Sequence, residues 1–241
     1  MIETQYHVVG DRRIALRHVA GQGPAIVFLP GYMSDMAGSK ACAVMKWARG
    51  EGRECLLLDY SGCGESDGAF AEGTLRRWRD EVLALIAARV RNPVILVGSS
   101  MGGWLMLLAG LALGERLHGL VGIAAAPDFT EWGRSAEDKA RLQNGETVLD
   151  ENPYGPDPTP MHPAFWADGQ ANLLLDDPIP LDCPVHLLHG MEDRDVPWEI
   201  SLRLSRALRS PQVHLTLVKD GDHRLSREAD IALLLTTIAT I

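Results

Sequence analysis

Val94-Ile95-Leu96-Val97-Gly98-Ser99-Ser100-Met101-Gly102-Gly103-Trp104-Leu105-Met106 passes from an unbroken aliphatic run, through two serines set among glycines, into a second and longer apolar stretch. An aliphatic run without polar alternation reads as a strand covered on both faces. The stretch that follows, residues 101–113, falls short of the roughly 20 apolar residues a bilayer span needs and reads as a buried helix. Strand, tight turn and helix in that order put Ser100 at the crest of the turn. The G-x-S-x-G spacing from Gly98 to Gly102 keeps side chains away from points where backbone passes backbone. Ser99, one position earlier, is expected to point into the fold.

Similar short apolar runs recur on either side. Residues 25–29 stop at Pro30-Gly31, 54–58 at Asp59-Tyr60, 120–124 at Pro127, 184–188 at His189-Gly190 and 213–218 at Asp220-Gly221. Helical periodicities lie between several of them. Residues 74–91 place Leu75, Trp78, Val82, Leu85 and Ile86 at helical spacings, with charged residues between. Residues 198–208 and 226–238 read as further helices, the last starting near Ser226. Two alternating stretches, 6–9 and 13–18, flank Gly10-Asp11 as an antiparallel hairpin at the sheet edge. This order predicts an α/β fold with a mostly parallel central sheet, helices on both faces, and ligands at the carboxyl ends of the strands. Residues 127–180 break the rhythm. They are rich in proline, carry Trp132, Phe165 and Trp166, and read as one helix within 131–149 with loop elsewhere. An insertion of that length directly after a strand is too long for a connection and reads as a lid.

The chain has 241 residues, 46% of them hydrophobic, which suits one domain over residues 1–241 with a sizeable core. Its formal net charge of −9 disfavours nucleic acid and anionic lipid as partners. The four cysteines, Cys42, Cys55, Cys63 and Cys183, form no CxxC pair and read as reduced thiols, not staples or zinc ligands. The amino terminus has the pattern of neither a signal nor a transit peptide, so a cytoplasmic location is expected.

A hydroxyl raised at a fixed point attacks a carbonyl only beside a base, which in turn needs an orienting acid; after a nucleophile elbow these follow in the order acid, then histidine. Eight histidines compete. His223 follows the last strand run and precedes the last helix, on the edge where Ser100 must also lie, and is the expected general base and acid. His186 and His189, three apart in a strand, point to opposite faces and cannot share a metal. The run His189-Gly-Met-Glu-Asp193-Arg-Asp195-Val-Pro197 supplies the acid. Asp193 is expected to reach the imidazole, Asp195 to cap the helix near Pro197, and Glu192 to be exposed. The oxyanion donors are expected to be the backbone N–H of Met101 and that of Tyr32, with Met33 second. Met33, Trp132, Phe165 and Trp198 are candidates for an apolar acyl pocket. No metal and no organic cofactor are expected.

Phe28-Leu-Pro-Gly-Tyr-Met-Ser34, Asp59-Tyr-Ser-Gly62, Gly98-Ser-Ser-Met-Gly-Gly-Trp-Leu-Met106, Leu187-Leu-His-Gly-Met191, Val196-Pro-Trp198 and Asp222-His223-Arg224 occur in that order. The set resembles the α/β-hydrolase superfamily over nearly the whole chain, and within it the mitochondrial palmitoyl-protein thioesterase and acyl-glucuronide esterase subgroup. That resemblance implies a serine hydrolase of esters or thioesters with Ser100, Asp193 and His223 as triad, acting on a small-molecule or acyl-protein substrate. A small-ester carboxylesterase and a non-catalytic small-molecule receptor are the alternatives. Asp at the elbow would be required for haloalkane or epoxide chemistry, and Ser100 stands there instead.

Overall fold

A computed structural model describes residues 2–241. The chain opens with a hairpin, β1 (Gln5–Val9) and β2 (Arg12–Val19), followed by β3 (Gln22–Leu29), α1 (Ser39–Gly50), β4 (Arg53–Leu58), α2 (Leu75–Arg89), β5 (Val94–Ser99), α3 (Met101–Leu113) and β6 (Leu117–Ile123). An inserted segment then carries α4 (Phe129–Trp132), α5 (Ala136–Gln143), β7 (Val148–Asp150), β8 (Thr159–Met161) and α6 (Pro163–Gln170). The chain closes with β9 (Val185–Gly190), α7 (Glu199–Ala207), β10 (Val213–Val218) and α8 (Glu228–Ala239).

The main sheet has eight strands in the order β1-β2-β4-β3-β5-β6-β9-β10. From β4 to β10 the strands run parallel, and β1 and β2 join antiparallel at one edge. Each run expected to form a strand does so. The two-residue period of a strand divides the core: Ala25, Val27 and Leu29 face α2 and α3, while Ile26 and Phe28 face α1 and α8. Burying one such aliphatic side chain contributes about 1.5–3 kcal/mol, so both faces are needed to hold the sheet.

Three elements differ from expectation. Helix α1 was not anticipated, although Ala41, Val44, Met45 and Ala48 bury one face at spacings of three, one and three. Residues 131–149 hold two short helices and a strand, because Gly133 and Gly145 interrupt any single helix, and the supposed loop beyond them holds the β7–β8 pair and α6. The last helix starts one residue after Arg227, not at Ser226: the Arg227 N–H donates to Asp230 Oδ2 at 3.1 Å, and its guanidinium grips the same carboxylate.

The inserted segment is fastened to the body by buried polar contacts. Trp104 Nε1 of α3 donates to Asn172 O at 3.1 Å, while within the segment Asp128 accepts the N–H groups of Leu174 and Leu175 at 2.9 and 2.8 Å. The Arg76 N–H at the start of α2 donates to Asp168 Oδ2 at 2.8 Å.

Candidate active site

Ser100 sits between β5 and α3 with φ 55° and ψ −120°. That backbone costs a side-chain-bearing residue about 1–3 kcal/mol and needs to be over-determined by its surroundings. Three hydrogen bonds do so: Ser100 N–H donates to Ile123 O (2.9 Å), and its carbonyl accepts from Gly103 (2.8 Å) and Ala126 (3.0 Å). A Cβ on Gly98 would lie 2.3 Å from Gly102 O, and one on Gly102 would lie 2.1 Å from Leu29 O, so the elbow admits only glycine at both points. Ser99 does not turn fully inward as expected: it is half-buried and lines the same cavity as Ser100.

His223 and Asp193 come to Ser100 from the loops after β10 and β9. His223 Nε2 stands 3.1 Å from Ser100 Oγ, and Nδ1 stands 2.8 Å from Asp193 Oδ2. The carboxylate accepts from Nδ1–H, which leaves Nε2 free to accept from the serine hydroxyl. Asp193 Oδ1 accepts the N–H groups of Asp195 and Val196, each at 2.9 Å, and Oδ2 also meets His189 Nε2 at 3.1 Å. Burial pushes the Asp193 carboxyl up, but the hydrogen bonds from His189 and His223 outweigh it and hold the group well below the usual carboxylate range.

In sequence His189 is no more than a strand-end histidine. It is fully buried, and its Nε2 lies 3.0 Å from Val196 O, which can only accept, so Nε2 carries the proton. Ser201 Oγ, 2.6 Å away, is the hydrogen-bond partner of Nδ1. The available signal was its position at a strand end four residues before the acid.

Asp195 does not cap α7. Trp198 holds the cap position with no side-chain bond, while Asp195 Oδ2 accepts from the Tyr154 hydroxyl at 2.7 Å. Asp193, Asp195 and His223 place potential metal-ligand atoms within 4.8 Å of one another. Asp193 and His223 already spend their acceptors and donors on the bonds above, so the trio offers no vacant ligand set. Glu192 is exposed, as expected.

The loop after β3 passes beside the elbow. Ser34 N–H turns back to Gly31 O at 3.2 Å, whereas the N–H groups of Tyr32, Met33 and Met101 meet no protein acceptor among the described residues. Buried Asp59 braces this loop by accepting Met36 N–H at 2.7 Å and Glu65 N–H at 2.9 Å. Tyr60 adds a bond from its hydroxyl to Pro30 O at 3.0 Å. The Tyr32 ring packs edge-on against Phe70 and tilted against Phe165, at centroid distances of 4.9 and 4.8 Å, and its hydroxyl donates to Pro160 O of β8 at 2.8 Å.

A cavity of about 640 Å³ opens over Ser100 between this loop and the inserted segment. Met33 and Trp132 line it, as expected of pocket residues. Phe165 does not; it is 1% exposed and belongs to the aromatic core under Tyr32. Trp198 is not on the wall either. The walls also carry Lys40, Arg134, Asp150, Tyr154 and Arg224, none of which a search for apolar residues finds. Burial and the neighbouring Arg224 push the Lys40 ammonium down to about 8.

Parallel sheet, strained serine elbow, strand-end acid and loop-borne histidine together have the layout of one enzyme class. Residues 26–233 match the family described as "Alpha/beta hydrolase family", and the chain belongs to that family and is a serine hydrolase. More narrowly, it falls with the palmitoyl-protein thioesterases named ABHD10, mitochondrial. It is 42% identical to the Mus musculus protein over 93% of this chain and 77% of that one, and 38% identical to the Homo sapiens protein over 93% and 75%. Among solved structures, alpha/beta hydrolase domain-containing protein 10 from mouse superposes with a TM-score of 0.91 at 38% identity, over 99% of this chain and 97% of that one. A putative hydrolase from Agrobacterium vitis S4 does so with 0.92 at 39%, over 100% and 98%. No helix among the described residues is long and apolar enough to cross a membrane. The expected cytoplasmic location draws no support from relatives titled mitochondrial.

Proposed function

We propose that the protein hydrolyses acyl thioesters and esters through an acyl-serine, as a deacylase of the palmitoyl-protein thioesterase kind. In this reading Ser100 Oγ attacks the acyl carbonyl while His223 Nε2 takes its proton and hands it to the departing thiol or alcohol. Water then attacks the acyl-enzyme with His223 again as base. Asp193 holds the imidazole tautomer and stabilises the imidazolium. The free N–H groups of Met101 and Tyr32 receive the oxyanion, each donor contributing about 2.7–4 kcal/mol in the transition state. The inserted segment, residues 127–180, acts as a cap that shapes the acyl and leaving-group sites. The observation that carries the reading is the unbroken contact from Ser100 through His223 to Asp193 under a left-handed serine, in a chain close to named thioesterases.

A second reading, a carboxylesterase for short polar esters, is favoured by the charged residues Lys40, Arg134, Asp150 and Asp195 on the cavity wall. The two separate on acyl length. Matched esters and thioesters with acyl chains of about two to sixteen carbons are assayed for kcat/KM, with Ser100→Ala as blank; each methylene buried adds about 0.8 kcal/mol. A climb toward long thioesters upholds the deacylase. A maximum at the shortest chains replaces it with the esterase, and wild-type turnover no higher than Ser100→Ala sinks both.

A further inference from the structure

Asp195 and Tyr154 lie outside the contact from Ser100 to Asp193, yet Asp195 touches it and Tyr154 touches Asp195. Asp195 Oδ2 lies 4.0 Å from His223 Nε2, the same nitrogen that faces Ser100 Oγ at 3.1 Å. That oxygen also accepts the Tyr154 hydroxyl at 2.7 Å. Tyr154 comes from the segment between β7 and β8, and the Arg224 guanidinium lies over its ring at 5.5 Å. Both Asp195 and Tyr154 line the cavity.

After proton transfer from Ser100, His223 Nε2 carries a proton that must go to the leaving group. A carboxylate beside that N–H competes for it: an ion pair there stabilises the imidazolium and turns the ring away from serine and leaving group. We propose that Tyr154 is a positioning residue that prevents this, its hydroxyl occupying the Asp195 oxygen nearest Nε2 and holding it back from the histidine. The device rests on the hydrolase reading above and ties catalysis to the inserted segment. With Tyr154 seated, His223 serves Ser100; with Tyr154 withdrawn, Asp195 captures the imidazolium and the enzyme idles.

The other charged or titratable groups around His223 are Asp193 on Nδ1, Asp222 and Arg224 on its own loop and Lys40 from α1. Asp35, Glu151 and the paired Arg134 and Asp150 lie on the wall of the same cavity. Asp222 is engaged by Leu225 N–H at 2.9 Å, and Lys40 donates to Arg224 O and, at 3.4 Å, to Ser226 Oγ. Asp195 is the carboxylate within 4.0 Å of Nε2. Burial and the Asp195 bond raise the Tyr154 phenol, so it remains a donor through the working pH range.

The test is a pH profile of kcat/KM and kcat on a short p-nitrophenyl ester for wild type, Tyr154→Phe, Asp195→Asn and the double variant. Thermal melts check that each is folded. Tyr154→Phe keeps the ring under Arg224 and removes only the hydroxyl. It should raise the acid limb by about one pH unit and lower kcat roughly tenfold as the freed carboxylate pairs with the imidazolium. Asp195→Asn should move the acid limb the other way, and the double variant should match Asp195→Asn, because Tyr154 matters only through that carboxylate. An unmoved acid limb in Tyr154→Phe, or an equal loss in both backgrounds, overturns the proposal and leaves Tyr154 a packing residue. If wild type shows no turnover beyond Ser100→Ala, the hydrolase reading falls and this inference with it; turnover with additive variants sinks this inference alone.

Discussion

His189 and His223 grip the same oxygen of Asp193: Nε2 of the buried histidine stands 3.1 Å from Oδ2, and Nδ1 of the other 2.8 Å. One carboxylate oxygen is thus fixed on one side by a fully buried ring and presented on the other to the ring that faces Ser100. His189→Phe fills similar space but leaves Ser201 Oγ and one side of Asp193 unpaired in the interior. The expected cost is about 1–3 kcal/mol in urea unfolding together with a roughly tenfold fall in kcat. Lost stability with kcat untouched would make His189 a core residue and nothing more.

Asp193→Asn tests the carboxylate itself. Its amide cannot accept from His223 Nδ1–H with the strength of the charge, and the imidazole can settle in the wrong tautomer. A loss of kcat on the order of 10⁴ is expected, as for comparable triads, with KM little changed. If Asp195→Asn shows the larger loss, the acid has been assigned to the wrong residue of the turn.

The strained elbow makes a stability prediction. Ser100→Ala should abolish turnover and keep the φ of 55° under strain. Ser100→Gly should be inactive too but relieve that strain, offset in part by the entropy glycine loses on folding. The expected net difference is about 1 kcal/mol in favour of glycine by urea denaturation. Equal midpoints would mean that the surrounding bonds leave no strain to release.

The sheet was readable because its strands are short aliphatic runs ended by glycine, proline or aspartate, and parallel strands covered on both faces have little room for polar residues. Ser100, Asp193 and His223 were readable because each stands where a strand ends. The inserted segment resisted the same reading. Its elements are short, three-residue strands and a four-residue helix among them, and tertiary contacts such as Trp166 Nε1 to Thr130 O hold them in place of a periodic face. Phe165 shows the limit of composition: an aromatic residue in the inserted segment is as suited to the core as to the pocket, and only its neighbours decide. Tyr154 was invisible for another reason. Its partner Asp195 lies 41 residues away, and no local pattern encodes that meeting; His189, four residues from Asp193, left only the faint signal of a strand-end histidine.

Lys40 gives a pH prediction whose sign follows from its shift. Burial lowers the ammonium from 10.5 to about 8 in the folded protein. Between those values the unfolded chain binds the proton more fully than the folded one, so this group makes stability rise with pH across that window. Below pH 8 both states are protonated and the cost of the buried charge is constant. Lys40→Met should therefore show a smaller gain, or a steeper decline, in urea midpoint from pH 8 to 10 than wild type. Parallel curves would show that Lys40 keeps an ordinary proton affinity.

Tyr32 separates the side chain from the backbone at the expected oxyanion loop. Its hydroxyl bond to Pro160 O fastens the loop to the inserted segment, while its ring is gripped by Phe70 and Phe165. Tyr32→Phe removes only the hydroxyl bond and should cost about 0.5–1.5 kcal/mol of stability while leaving the backbone N–H in place. Tyr32→Ala empties the aromatic cluster and lets the N–H drift from the oxyanion position, with a loss of about 10²–10³ in kcat. If the Phe variant loses as much kcat as the Ala variant, the anchor that positions the loop is the Pro160 bond and not the ring. Should neither variant affect kcat, the donor is not Tyr32, and the neighbouring N–H of Met33 takes its place.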